Sequence, residues 1–113
     1  MKAKILSAII LVMLLCSSAC AALPSVTILL KKNSSECERM LPVLKQIQQD
    51  YGVRISASYK YLEDDLKLAE KYNVRYVPML IFMDSNGKER AREVGYRSLE
   101  QILAVFEKNG IKY

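Results

Sequence analysis

The side chain in this chain that is best suited to covalent chemistry is the thiol of Cys37, which lies in the segment NSSECERMLP at residues 33–42. Ser34 carries a nucleophilic oxygen nearby, but the chain has no histidine that could act as its base. The other two cysteines, Cys16 and Cys20, belong to an apolar N-terminal segment. Cys37 is therefore expected to be either a buried, inert thiol or one that reacts with a thiol of another molecule.

The first 21 residues have the composition of a secretory signal peptide. Two lysines precede an uncharged run at residues 5–15, and Ala19-Cys20-Ala21 fits a small-residue cleavage site. The apolar run is shorter than the roughly 20 residues that span a membrane. We therefore expect an exported protein, periplasmic or extracellular, that begins near Ala22 and has no stable membrane span. An uncleaved N-terminal anchor and lipidation at Cys20 are the alternatives.

Residues 22–113 have the length of one small domain with a single core. Loss of Lys2 and Lys4 would lower the formal net charge from +5 to +3, and the remaining basic residues are spread along the chain. Because nucleic-acid sites need clustered basic residues, no nucleic-acid partner is predicted. With one cysteine and no histidine left, a zinc site of these ligands and an intrachain disulfide are excluded within one chain. No metal and no cofactor is predicted.

Hydrophobic periodicity predicts the elements that position Cys37. Residues 25–30 form a short β-branched and apolar run, which is typical of a buried strand. Residues 35–50 predict a helix with an inward stripe of Cys37, Met40, Leu44, Ile47 and Tyr51. Ser35 and Glu38 fit a capping box at its start, and Ser34 is the alternative cap.

Two further pairs of elements follow. Residues 53–59 alternate and predict a second strand. Residues 63–72 predict a second helix, with one apolar face made by Leu62, Leu66, Ala69 and Tyr72. Residues 74–83 predict a turn into a strongly apolar strand, and an Asn86-Gly87 turn joins it to a charged strand at residues 88–94.

Ser98 is expected to cap a last helix that ends near Asn109. The inward residues of that helix are Leu99, Ile102, Leu103 and Phe106. The complete order of elements is strand, helix, strand, helix, strand, hairpin strand and helix. This order predicts the α/β class, with one central mixed sheet and helices on both of its faces.

The segment around Cys37 resembles the first core helix of thioredoxins, which carries the pattern Cys-x-x-Cys-x-x-x-x-Pro. Cys37 and Pro42 stand at the second cysteine and the proline of that pattern, and Ser34 stands at its first cysteine. The segment Tyr76-Val77-Pro78 resembles the family's cis-proline segment, which implies that these three residues bind substrate. The resemblance covers residues 22–113 and is strongest to small exported thioredoxin-like proteins of bacteria. It implies a thioredoxin fold.

The resemblance also implies a reduced chemistry. In thioredoxins the first cysteine attacks a substrate disulfide and the second resolves the mixed disulfide. Ser34 cannot form a disulfide, so Cys37 would carry the covalent step and Ser34 would donate a hydrogen bond. Cys37 is expected to be partly buried, and the flanking Glu36 and Glu38 disfavour a thiolate by like-charge repulsion. The chain would be at most a weak monothiol disulfide oxidoreductase, and whether it is an enzyme at all is left open.

Two functions remain after these steps. The first is an exported thiol–disulfide protein of the thioredoxin family, degenerate to a single thiol, whose partners are protein or peptide thiols and disulfides. The second is a non-catalytic thioredoxin-fold module that binds peptides or proteins. A disulfide-linked dimer through Cys37 is also left open.

Overall fold

The computed structural model describes residues 22–113, which form one four-stranded sheet covered by helices. The strands are β1 (Ser25–Leu30), β2 (Ser56–Tyr61), β3 (Met79–Met83) and β4 (Glu89–Val94). The helices are α1 (Ser35–Asp50), α2 (Leu68–Lys71) and α3 (Leu99–Lys108), and a 3-10 turn at Leu62–Asp64 precedes α2. The strand order is β2-β1-β3-β4, with β1 parallel to β2 and β3 antiparallel to both β1 and β4. The predicted α/β class and central mixed sheet are confirmed.

The signal peptide predicted at residues 1–21, including Cys20, lies outside the described residues. Among residues 22–113, no helix has the length and hydrophobicity that a membrane crossing requires.

Alternation along the two central strands divides the core into two layers. Side chains at every second position of β1 and β3 pack under α1 and α3, and they are Val26, Ile28, Leu30, Leu80 and Phe82. The side chains between them, Leu29, Met79 and Ile81, pack on the other face against Leu62 and Leu68. Because successive strand residues point to opposite faces, both faces of the sheet are apolar and both need a cover.

Helix α1 holds the thiol, and its bounds agree with the prediction. Its buried stripe comprises Cys37, Met40, Val43, Leu44 and Ile47. The cap is Ser34 rather than Ser35, since the Ser34 hydroxyl oxygen accepts a hydrogen bond from the Cys37 N–H at 3.4 Å. The backbone of Ser34 is extended, as an N-cap requires.

The continuous helix predicted over residues 63–72 is wrong. The chain makes the 3-10 turn, becomes extended at Asp65 (φ −150°, ψ 101°) and then forms only the short helix α2. The reason is tertiary: the Lys32 N–H donates to Glu63 at 2.8 Å, and the Lys32 ammonium donates to Asp64 at 2.8 Å. As a result Leu66, which was expected on the apolar face, is 84% exposed.

Candidate functional site

Cys37 lies in the first turn of α1 and is only 1% exposed. Its sulfur is within 3.5 Å of the Lys31 N–H, which points to it as a weak hydrogen-bond donor. The side chain belongs to the core layer between the sheet and helices α1 and α3. The thiol expected to be partly buried is therefore almost fully buried, and a partner sulfur cannot reach it without local opening.

Ser34 is half-buried at the start of the same helix. Its oxygen accepts the Cys37 N–H, and within residues 22–113 its own proton has no acceptor. The loop before it turns through Asn33, which has a positive φ of 61°. Lys32 links this loop to the 3-10 turn, because its ammonium donates a hydrogen bond to the Asp64 carboxylate. This hydrogen bond raises the pKa of Lys32. Ser34 is thus fixed at the surface end of α1.

The segment Tyr76-Val77-Pro78 directly precedes β3. The Val77–Pro78 peptide bond is cis, Pro78 is buried, and the Tyr76 side chain is 69% exposed. Within residues 22–113, the peptide N–H and C=O groups of Tyr76 and Val77 have no hydrogen-bond partner. An incoming peptide strand can pair with unpaired backbone groups of this kind.

The loop before α3 connects this segment to α1. The Gly95 N–H donates to the Pro78 carbonyl at 2.8 Å, and the next N–H, that of Tyr96, donates to the Glu36 carboxylate at 3.2 Å. On the same side, the Arg39 guanidinium lies 4.3 Å from the centre of the Tyr96 ring. The structure therefore links the Pro78 segment and the first turn of α1 through two consecutive peptide groups.

Sequence reasoning did not find this link. The sequence placed Glu36 only as a charged neighbour of the thiol and gave no partner for Arg39. Glu36 and Arg39 both contact Tyr96, which lies about 60 positions later in the chain. No local sequence pattern predicts contacts of that separation. A glycine at position 95 was the one visible signal, because its φ of +93° belongs to the region that favours glycine.

No group of three or more histidine, cysteine, aspartate or glutamate side chains in the described part of the chain could hold a metal ion.

Comparisons with known proteins agree with this architecture. A family model described as a thioredoxin-like domain matches residues 21–110. A solved structure described as that of a malarial protein is similar to this chain with a TM-score of 0.71. The two sequences are 24% identical, and the alignment covers 77% of this chain and 97% of the other. At that identity the second comparison supports the fold alone.

Proposed function

Because the chain belongs to the thioredoxin-like family, we propose that it is an exported thiol–disulfide protein that retains a single thiol and binds an extended partner segment. The observation that carries the proposal is the unpaired backbone of Tyr76 and Val77, connected through Gly95 and Tyr96 to the helix turn that holds Cys37. The partner segment would pair with that backbone and bring its disulfide to the start of α1.

The covalent step requires one thiolate and one partner disulfide. The Cys37 sulfur attacks one sulfur of the disulfide, the partner S–S bond breaks, and a mixed disulfide forms while the other partner sulfur leaves as a thiolate. Ser34 donates its free proton in a hydrogen bond to the departing sulfur. Since the chain offers no second thiol here, a thiol from another molecule must release the mixed disulfide.

Burial determines the rate of this step. The sulfur, at 1% exposure, becomes reachable only when the first turn of α1 opens. An opening that costs about 3 kcal/mol would slow exchange about 150-fold relative to the unfolded chain. A dimer linked through Cys37 would need the same opening in both copies.

The same burial favours a second candidate, the non-catalytic binding module. In that case the Tyr76–Pro78 segment binds peptides and Cys37 serves only as a core side chain. The two candidates share the binding surface and differ only in the reactivity of one sulfur, so one experiment separates them.

The experiment follows mixed-disulfide formation by intact mass. The protein is mixed with a small aromatic disulfide and, separately, with a peptide that contains a disulfide, in buffer and in guanidinium chloride. Cys37→Ala gives the background. The proposal predicts a slow native reaction whose rate, relative to the rate in guanidinium chloride, is higher for the peptide than for the small disulfide. Reaction only after unfolding would leave the binding module as the function.

Two further measurements address the remaining elements of the proposal. Ser34→Cys should form an intrachain disulfide with Cys37, detected as the loss of two hydrogens that a reductant reverses. If no such bond forms under oxidising conditions, the assignment of position 34 to the first cysteine of the thioredoxin pattern is wrong. Export predicts an N-terminus near Ala22 in protein isolated from outside the cytoplasm, whereas an added lipid mass would identify anchoring at Cys20.

A further inference from the structure

Among residues 22–113, strand β2 lies at one edge of the sheet and pairs only with β1. The Ser56 N–H donates to the Pro24 carbonyl at 2.9 Å, on the side of β1. Because peptide groups alternate in direction along a strand, those of Ser56, Ser58 and Lys60 point toward β1 and those of Ala57 and Tyr59 point outward. The Gln48 side chain donates to the Ala57 carbonyl at 3.1 Å. Within residues 22–113, the outward N–H and C=O of Tyr59 have no partner.

A groove of about 490 Å³ opens beside this edge. Its walls are formed by Tyr59, Lys60, Tyr61, Asp64, Asp65 and Leu68. The two tyrosine rings meet edge to face with their centres 5.6 Å apart, and Tyr59 is 45% exposed. The groove thus combines free strand backbone with an aromatic surface, which are the two features that an extended peptide uses for affinity and for side-chain selection.

The charges in the groove are only partly paired. Lys32 bridges to Asp64 at 2.8 Å and lies 5.7 Å from the centre of the Tyr61 ring. In the described part of the chain no cation pairs with Asp65, whose Oδ1 accepts only the Lys67 N–H at 3.1 Å. No cation lies over the Tyr59 ring there either. Among residues 22–113, this groove is thus lined by a residue whose carboxylate has no cation partner and by a tyrosine whose ring has none, and both groups are complementary to a guanidinium.

We propose that the β2 edge and this groove dock an extended segment of a partner protein that carries an arginine. The segment pairs with the outward N–H and C=O of Tyr59, and its guanidinium lies between the Tyr59 ring and the Asp65 carboxylate. A second copy of this chain fits less well. Antiparallel pairing of two β2 strands about Tyr59 would set the two Lys60 side chains diagonally on one face, where like charges repel.

The test titrates the isotope-labelled protein with a blocked peptide of about six alternating valine and arginine residues, the length of a typical strand. Saturable shifts of the amide signals of Ala57, Tyr59 and Asp65 are expected. A matched peptide with glutamate in place of arginine should bind at least fivefold more weakly. Asp65→Asn should weaken binding about twofold to fivefold, the size expected for an exposed ion pair. Glu70→Gln removes an exposed acid outside the groove and should change nothing.

Four outcomes would overturn the proposal. They are the absence of saturable shifts, equal binding of the two peptides, shifts confined to Tyr76 and Val77, and shifts that appear with protein concentration alone. The third would place the peptide on the surface of the proposed function, and the fourth would identify a second copy as the occupant. Tyr59→Leu keeps the apolar bulk but removes the ring, so unchanged binding by that variant would exclude the cation–π contact.

Discussion

Removal of the cap of α1 tests whether the start of that helix depends on Ser34. Ser34→Ala leaves the Cys37 N–H without its side-chain acceptor. Loss of an N-cap costs about 0.5–2 kcal/mol, and the 3.4 Å separation is longer than a well-formed hydrogen bond. The expected loss in free energy of unfolding is therefore about 0.5–1 kcal/mol. In a domain of this size that corresponds to a fall in Tm of roughly 2–8 °C.

Ser98 and Ser35 serve as references for the expected effect of Ser34→Ala on the free energy of unfolding. Ser98 caps α3 in a complete capping box, with its oxygen accepting the Gln101 N–H at 3.2 Å and its N–H donating to the Gln101 side chain at 2.9 Å. Ser98→Ala is expected to cost more, about 1–2 kcal/mol. Ser35 is exposed and makes no side-chain hydrogen bond in the described structure, so Ser35→Ala should stay within about 0.5 kcal/mol of the wild type.

Urea unfolding followed by circular dichroism measures all four proteins under identical conditions. The order expected for stability is wild type and Ser35→Ala together, then Ser34→Ala, then Ser98→Ala. If Ser35→Ala proves as destabilising as Ser34→Ala, the helix begins one residue later than the structure indicates and the Ser35–Glu38 capping box is correct after all. A neutral Ser34→Ala beside a destabilised Ser98→Ala would mean that the hydroxyl of Ser34 contributes nothing as a cap.

Three other predictions have defined outcomes. Gly95→Ala places a side chain at φ +93°, with its Cβ 3.3 Å from the Glu36 carboxylate, and should cost about 1–3 kcal/mol in urea unfolding; a neutral result would contradict the close approach of these loops. Leu68→Ala should lower the free energy of unfolding by about 2–5 kcal/mol, whereas Leu66→Ala should stay within about 0.5 kcal/mol of the wild type. The reverse order would support the continuous helix that the sequence predicted over residues 63–72. Asp84 has its pKa lowered, mainly by the Lys88 N–H. Its contribution to stability is therefore present above the unfolded-state pKa of about 3.9 and disappears as pH falls through the folded-state pKa. The difference in free energy of unfolding between the wild type and Asp84→Asn should therefore shrink in acid. A difference that is constant with pH would refute the effect.

The sequence was most informative where local order and burial agree. The apolar stripe of α1 predicted its bounds because residues three and four apart share a helix face, and the core behind that face is continuous. Ser98 predicted the start of α3 because its partner Gln101 is local. The turn at Gly87, with φ 77°, was equally visible, since such a backbone conformation favours glycine.

Prediction from the sequence failed where contacts between distant residues determine the local backbone conformation. The periodicity of residues 62–72 suggested one helix, but Glu63 and Asp64 bond to Lys32 about 30 positions earlier. The second strand was placed at residues 53–59 and begins at Ser56, because Arg54 and Ile55 turn back to the Tyr51 carbonyl. Ser34 and Ser35 are adjacent and either could have been the cap of α1 from the sequence. Only the structure shows that the helix starts after Ser34. The contacts that join Pro78 to α1 are likewise invisible to any local pattern.

The half-buried position of residue 34 and the full burial of residue 37 have one structural cause. The N-cap stands outside the helix, and the third residue beyond it turns into the inward stripe that continues through Met40 and Leu44. Replacement of the Ser34 oxygen by sulfur would therefore place a second thiol at the surface without moving the first out of the core. The Tyr76–Val77 backbone would be unchanged by it, so both forms should bind the same peptide. The difference in exchange rate between Ser34→Cys and the natural chain would then measure what an exposed first thiol contributes, separately from binding. Equal rates would mean that access to the partner disulfide, rather than the missing thiol, limits the chemistry of this chain.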